Sequence, residues 1–127
     1  VLAVNAARYP SGDARAEGYR DVAAWMEVNA PPGTSLAHVE IGYLGFYSSH
    51  PIIDLAGLTD PSLLENANRL DIETSFWQTN PDYLLAHPNF GWLIDDILQD
   101  PRFDQTYEPV AQFEWTTDPP LQLYARR

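Results

Sequence analysis

The sequence contains no cysteine and no lysine. Without cysteine the chain forms no disulfide and holds no metal through thiolate ligands. The 7 basic residues are all arginine, and they stand against 18 acidic residues, so the formal net charge is −11. A field of this sign opposes binding to nucleic acids and to anionic lipid surfaces. We therefore expect no nucleic-acid partner.

Long hydrophobic runs are also missing: none approaches the roughly 20 apolar residues that a membrane-spanning helix needs. The length of 127 residues and the 45% of hydrophobic residues suit one domain around one core. We expect residues 13–127 to form this single soluble α/β domain. The first 12 residues are interpreted as a linker or an edge strand that continues from an upstream part of a longer polypeptide.

Helical and strand patterns alternate along the chain. Apolar residues recur at helical spacing in residues 13–29 and 90–98, and short buried strands are predicted at 35–40, 51–55 and 83–86. Further helices are predicted at 71–79 and from Pro61 onward, and the alternation in 111–115 and 121–125 predicts a hairpin. The expected fold is a small three-layer α/β sandwich, with a mixed sheet, helices on both faces and a C-terminal antiparallel hairpin.

The most informative segment is residues 39–61, with the sequence VEIGYLGFYSSHPIIDLAGLTDP. It predicts the end of a strand, an aromatic turn or short helix with glycines, a buried strand and an acidic turn at Gly57. Gly42 and Gly45 have the GxxG spacing, which suits either a phosphate cradle or close packing of a helix on a strand. Close packing is favoured, because no complete phosphate-binding motif is present.

Three aromatic residues accompany these glycines: Tyr43, Phe46 and Tyr47. If they are exposed together, they form a stacking platform for a sugar or a lipid headgroup. If they face inward, they belong to the core, and this second interpretation is favoured because aromatic side chains bury large areas.

Acidic residues in the same segment are the other candidates. Asp54 interrupts an apolar run, so it needs a partner or a function, such as general base, metal ligand or acceptor of backbone hydrogen bonds. With Glu40 and Asp60 it could form a carboxylate cluster near the carboxyl edge of the sheet, where ligands bind in open α/β folds. The favoured interpretation is structural: amides of the 55–60 turn hold Asp54, and Asp60 caps a helix.

Metal and nucleophile motifs are not found. His38, His50 and His87 lack the spacing of zinc ligands, and the acidic run Asp95, Asp96, Asp100 and Asp104 lacks the pattern of a calcium loop. Ser48 and Ser49 lack the context of a nucleophile elbow. We expect no metal and no cofactor.

Several pieces of the sequence occur in an order that resembles a known family. They are Trp25 with PPG at 31–33, IGYLGFYS at 41–48, IIDLAGLTDP at 52–61, PDYLLAHP at 81–88, YEPVAQF at 107–113 and PLQLYARR at 120–127. Together they resemble the C-terminal extracytoplasmic domains of bacterial GT-C type membrane glycosyltransferases, labelled dolichyl-phosphate-mannose-protein mannosyltransferase-like or arabinofuranosyltransferase-like. The resemblance covers residues 13–127.

This resemblance implies an accessory domain of a transferase that uses a polyprenyl-phosphate sugar donor. The domain would be periplasmic or at the cell surface, tethered to the membrane portion of the same polypeptide. It would shape or bind the acceptor side, and it would not be catalytic alone, because the family's catalytic carboxylate lies in the membrane portion.

We expect a site for cell-wall glycan or a polyprenyl-phosphate headgroup at Glu40, Tyr43, Tyr47, Asp54 and Asp60. Gly42, Gly45 and Gly57 are expected to serve as structural turns around it. The alternatives are a free-standing small acid–base enzyme using Glu40, Asp54 and Asp60, and a structural cap without ligand.

Overall fold

The computed structural model describes residues 14–114 and 120–127, and its strands join in one sheet. The strands are β1 (Leu36–His38), β2 (Ile52–Asp54), β3 (Tyr83–Ala86), β4 (Tyr107–Phe113) and β5 (Leu121–Arg126). Their order is β2-β1-β3-β5-β4; the first three are parallel, and β5 runs antiparallel to β3 and β4. This confirms the mixed sheet with a C-terminal hairpin. Residues 115–119, which include most of the predicted turn TTDPP, and the predicted linker at 1–12 lie outside the described residues.

Six α-helices occur in the described part of the chain. They are α1 (Ala14–Asn29), α2 (Gly42–Tyr47), α3 (Pro61–Asn68), α4 (Ile72–Thr79), α5 (Gly91–Gln99) and α6 (Pro101–Thr106), and a 3-10 turn (Pro88–Phe90) precedes α5. None of these described helices is long and apolar enough to cross a membrane.

Local capping explains where the middle helices begin and end. The Asp60 side chain accepts a hydrogen bond from the Ser62 amide, and Pro61 supplies the fixed φ of the first helical residue. Asp71 caps α4 in the same way, and Asn80 ends α4 in the left-handed conformation, with φ of 47°. These are short-range signals, and for this reason the sequence predicts them well.

The sheet separates two apolar clusters, as the strand alternation requires. In β3, Tyr83 and Leu85 belong to the cluster under α1 and α2, whereas Leu84 and Ala86 belong to the cluster under α4, α5 and α6. Ile94 and Ile97 of α5 are buried in the second cluster, and Phe90 and Leu93 pack against it while half-buried. The predicted three-layer arrangement is confirmed.

The strand order creates one special edge. β1 lies between β2 and β3 in the sheet. The connection that leaves β1 leads to β2 on one side, and the connection that leaves β3 leads to β4 on the other side, so the two connections diverge at the carboxyl ends of β1 and β3. A crevice at such a switch point is the usual ligand site of open α/β sheets. His38 ends β1, and His87 directly follows β3.

Candidate functional site

A groove of about 420 Å³ lies just beyond the end of β1. It is lined by Glu40, Gly42, Tyr43, Phe46 and Tyr47. Three of the predicted site residues therefore line one groove, Tyr43 and Tyr47 from α2 and Glu40 from the segment before it, whereas Asp54 and Asp60 do not line it.

The favoured interpretation of the groove aromatics as core is wrong for Phe46, whereas Tyr43 does pack against the core cluster under α1 and α2. The six-residue helix α2 turns only one side toward the sheet, and its buried residue there is Leu44. Phe46 consequently has 82% of its side chain exposed, and Tyr43 and Tyr47 are half-buried. The stacking-platform interpretation requires the three rings to be exposed together, and Phe46 alone is fully exposed.

The rings are held at defined angles. Phe46 meets Tyr47 edge-on with 5.1 Å between ring centroids, and Tyr43 stacks on Tyr19 of α1 at 5.8 Å. The Arg20 guanidinium donates a 2.7 Å hydrogen bond to the Tyr47 hydroxyl, and its carbon lies 4.3 Å from the centroid of that ring. Two residues of the groove wall, Tyr43 and Tyr47, thus contact residues of α1.

A buried hydrogen-bond chain connects the groove to the sheet. Tyr19 and His38 are completely buried. The Tyr19 hydroxyl oxygen lies 2.9 Å from Oε1 of Glu40 and 3.2 Å from Nε2 of His38, and His38 Nδ1 lies 2.9 Å from the Leu85 carbonyl oxygen. Because a carbonyl only accepts, Nδ1 carries the hydrogen in the neutral ring and Nε2 presents its lone pair to Tyr19.

The electrostatics of His38 agree with this assignment. Burial lowers the pKa of His38 to about 3; the hydrogen bond to Leu85 opposes the shift, and His87 adds to it. The imidazole is neutral at neutral pH, so it acts as a fixed acceptor at the base of the site.

His87 is the neighbour that sequence reasoning missed. Its ring lies 6.4 Å from that of His38 and 5.0 Å from that of Phe90, and its Nδ1 accepts a hydrogen bond from the Asn89 amide. The two rings are close because His38 ends β1, His87 directly follows β3, and these parallel strands are neighbours. The sequence alone does not show that β1 and β3 are adjacent. His50 lies elsewhere, with Nδ1 3.0 Å from the Thr34 carbonyl oxygen.

No group of three or more potential metal ligands was found in the described part of the chain.

A second cavity of about 360 Å³ lies on the opposite face of the same edge, under α5. His87, Asp95 and Tyr124 contribute to its walls. Gln112 and Gln122 also line it, and they are hydrogen-bonded to each other across β4 and β5 at 2.9 Å. This cavity was not predicted from the sequence, because its walls come from segments that lie far apart in the chain.

Asp54 has the structural role that was favoured for it. It is 1% exposed, and it accepts hydrogen bonds from the Ala56 amide at 3.1 Å and from the Thr59 amide at 2.7 Å. Asp60 caps α3. The three carboxylates of the proposed cluster thus bond to different partners: Glu40 to the Tyr19 hydroxyl, Asp54 to amides of its own turn, and Asp60 to the first turn of α3.

The three glycines of the segment differ in what they require. Gly57 has φ of +73°, and an added Cβ would lie 2.7 Å from backbone atoms of Leu64, so only glycine fits this turn. At Gly42 and Gly45 an added Cβ would meet no atom within 4 Å. The expectation of close helix–strand packing at these two positions is therefore wrong, and both glycines lie on the exposed side of α2.

Comparison with known proteins gives one match. A family model described as a domain of unknown function (DUF8728) matches residues 7–124. No curated protein and no solved structure matches the chain.

Proposed function

The chain belongs to the DUF8728 family, whose model covers residues 7–124, and for this domain we propose a role as a carbohydrate-binding accessory domain. The observation that carries the proposal is the groove of Glu40, Tyr43, Phe46 and Tyr47, where an 82% exposed aromatic ring lies beside a carboxylate.

The chemistry of the groove suits a sugar. The exposed ring of Phe46 offers apolar surface to the C–H face of a sugar ring. The Glu40 carboxylate accepts hydrogen bonds only, so it matches hydroxyl donors. Ligand sites of this kind combine aromatic walls with a few placed polar groups.

We assign the domain to a membrane glycosyltransferase that uses a polyprenyl-phosphate sugar donor. This step is supported by the order of the sequence motifs between residues 25 and 127. In that setting the domain is extracytoplasmic, contacts the membrane portion of the same polypeptide and presents the acceptor glycan. The domain alone transfers no sugar.

An acid–base enzyme is less well supported. The alternative needs Glu40, Asp54 and Asp60 to act together, but the Asp54 carboxylate is already bonded to the Ala56 and Thr59 amides. Asp60 is likewise engaged by the Ser62 amide. Only Glu40 lines the groove.

Chemical-shift mapping with neutral oligosaccharides tests the carbohydrate-binding role. We expect the amide signals of residues 40–47 to shift, and Phe46→Ala to weaken binding about tenfold through loss of stacking, on the order of 1.4 kcal/mol. Trp92→Ala is the matched control, because Trp92 is an exposed aromatic residue of α5 outside the groove.

The following outcomes would contradict the proposal. Shifts confined to residues 107–127 would refute the placement of the site, and no shift with any sugar would favour a structural cap without ligand. Sugar transfer from a polyprenyl-phosphate donor by residues 1–127 alone would refute the accessory role.

A further inference from the structure

We propose that the cavity under α5 is a second ligand site, which binds a small organic cation of the alkylammonium class through the Asp95 carboxylate. The cavity lies on the opposite face of the sheet edge from the aromatic groove, and the inference is independent of the proposed carbohydrate-binding function. It rests on the walls of the cavity, on the charge that it holds, and on the glycine beside that charge.

The walls of the cavity suit the hydrocarbon part of a small molecule. Its volume of about 360 Å³ lies at the lower end of the range for ligand pockets, roughly 300–1,000 Å³. Buried Ile94 and half-buried Leu98 of α5 line one side. The Tyr124 ring lines the cavity from β5, and it meets Phe103 edge-on with 5.0 Å between the ring centroids. An apolar ligand body would therefore be enclosed by aliphatic and aromatic surface.

The charge of the cavity favours a cation. Asp95 is the only carboxylate among the described residues that line it, and no arginine is among them. Within the described part of the chain, Asp95 has neither a hydrogen bond nor an ion pair. A positively charged head group would supply the partner that the carboxylate lacks there.

The glutamine pair offers a second acceptor. Gln112 Nε2 donates to Gln122 Oε1, and Gln122 Nε2 donates to the Ala111 carbonyl oxygen. Gln112 Oε1 therefore accepts no hydrogen bond from the described residues. An ammonium group has N–H donors and no acceptor, so it matches both a carboxylate and an amide oxygen. The net charge of −11 also attracts a cation and repels an anion.

Gly91 provides the space for the Asp95 carboxylate. The two residues are one helical turn apart, and a Cβ added at Gly91 would lie 3.2 Å from both carboxylate oxygens of Asp95. The backbone does not require glycine here, because φ of −52° and ψ of −42° are ordinary helical values. The missing side chain thus lets the carboxylate lie against the first turn of α5, where both residues line the cavity.

NMR titration of the whole chain with three probes tests the proposed site. The probes share one cyclohexyl ring and differ in the head group: cyclohexylmethylamine, cyclohexylmethanol and cyclohexanecarboxylate. At pH 8 the amine is protonated, since alkylammonium groups lose their proton near a pKa of about 10.4, and ordinary histidine side chains are neutral. We expect the amine to shift the amide signals of residues 86–98 and 120–124 and to bind about fivefold more tightly than the alcohol. The carboxylate probe should bind most weakly.

Matched carboxylate variants separate a local contact from the field of the whole chain. Asp95→Asn keeps the shape and removes the charge, so it should weaken the amine about fivefold, or about 1 kcal/mol, and leave the alcohol unchanged. Asp96→Asn removes the same charge from an exposed residue of α5 that does not line the cavity, and it should change neither probe.

Gly91→Ala separates the position of the carboxylate from its presence. The added methyl group displaces the Asp95 carboxylate, so we expect the amine to bind several-fold more weakly. The melting temperature should stay constant or rise, because alanine is more favourable than glycine in a helix. Weaker binding in a fold of equal or greater stability cannot come from loss of structure.

Each remaining outcome contradicts the inference. Equal binding of the amine and the alcohol would mean that the cavity takes apolar bodies without regard to charge. Equal losses in Asp95→Asn and Asp96→Asn would assign the effect to net charge, and unchanged binding in Asp95→Asn would remove Asp95 from the site. Amine-induced shifts confined to residues 40–47, or no shift at all, would refute a site under α5 and would leave the test of the carbohydrate-binding role unaffected.

Discussion

His38 is a buried histidine that the fold keeps neutral, and it makes stability depend on pH at the scale of a single residue. It is fully buried, and its Nδ1–H is bonded to the Leu85 carbonyl oxygen. In the unfolded chain the same group titrates near its ordinary pKa of 6.5, but in the folded state burial lowers the pKa to about 3. Between these two values the unfolded state binds more protons than the folded state.

The free energy of unfolding should therefore fall as pH is lowered from 6.5 toward 3. The expected loss from His38 is roughly 3 kcal/mol between pH 6.5 and pH 4. Urea unfolding at several pH values measures it. Hydrogen bonds also lower the pKa values of Glu27, Asp71 and Asp100, which adds losses at still lower pH.

The variant His38→Asn isolates the contribution of the histidine. It should be less stable at pH 7 but should lose less stability between pH 6.5 and pH 4 than the wild type. Equal losses in the two proteins would show that His38 is protonated or accessible in the folded state.

Residues with local partners were predictable from the sequence, and residues with distant partners were not. Asp54 and Asp60 bond to amides two to five residues away, so their structural roles could be derived from the turn sequence alone. The contacts of Tyr19 with His38 and Glu40 join positions 19 and 21 residues apart in the chain. They depend on how α1 packs on β1, and no local pattern encodes that.

At the scale of elements, the clearest signal was the helical spacing of apolar residues in α5. Ile94 and Ile97 of α5 are buried against the sheet, as the pattern predicts, but Leu93 is only half-buried because it lies at the margin of the apolar stripe. The weakest signal was α2, which has six residues and no side-chain cap at its start. Six residues are too few for the apolar pattern to distinguish a short helix from a turn.

The α5 stripe gives a graded prediction for stability. Ile97→Ala should cost about 2–5 kcal/mol, because it opens a cavity in the cluster between α5 and the sheet. Leu93→Ala should cost less, since part of that side chain already meets water. Leu58 is 79% exposed, and Leu58→Ala serves as the control that should change stability by less than about 0.5 kcal/mol.

Chemical denaturation of the three variants provides the measurement. A cost below about 1 kcal/mol for Ile97→Ala would mean that α5 does not pack as described. A cost for Leu93→Ala equal to that for Ile97→Ala would show that the stripe is centred one residue earlier.

At the scale of the whole molecule, the layered fold followed from the alternation of helices and strands, but the position of the site did not. The groove lies just beyond the end of β1, and His38 beneath it is bonded to Leu85 of β3, which is adjacent to β1 in the strand order β2-β1-β3-β5-β4. Hydrophobic patterning fixes which face of a strand is buried, whereas strand order depends on long-range pairing. The functional assignment, in turn, depends on the sequence resemblance and on the chemistry of the groove.

The charge of the whole chain leads to the last prediction. With 18 acidic and 7 basic residues, the folded state holds a net charge of −11 in a small volume, and this self-repulsion opposes folding. Raising the ionic strength from about 0.01 M to about 1 M shortens the Debye length from about 30 Å to about 3 Å. We therefore expect the melting temperature to rise with sodium chloride.

Calorimetry across this salt range checks the prediction, with a variant of lower charge as the matched control. Asp96 and Glu114 are exposed, and Asp96→Asn combined with Glu114→Gln removes two negative charges. This variant should melt higher than the wild type at low salt, and the difference should shrink as salt is added, because screening and neutralisation relieve the same repulsion. A melting temperature that falls with salt would mean that attractive pairs such as Arg102 with Asp100 outweigh the net repulsion, since screening weakens those pairs too.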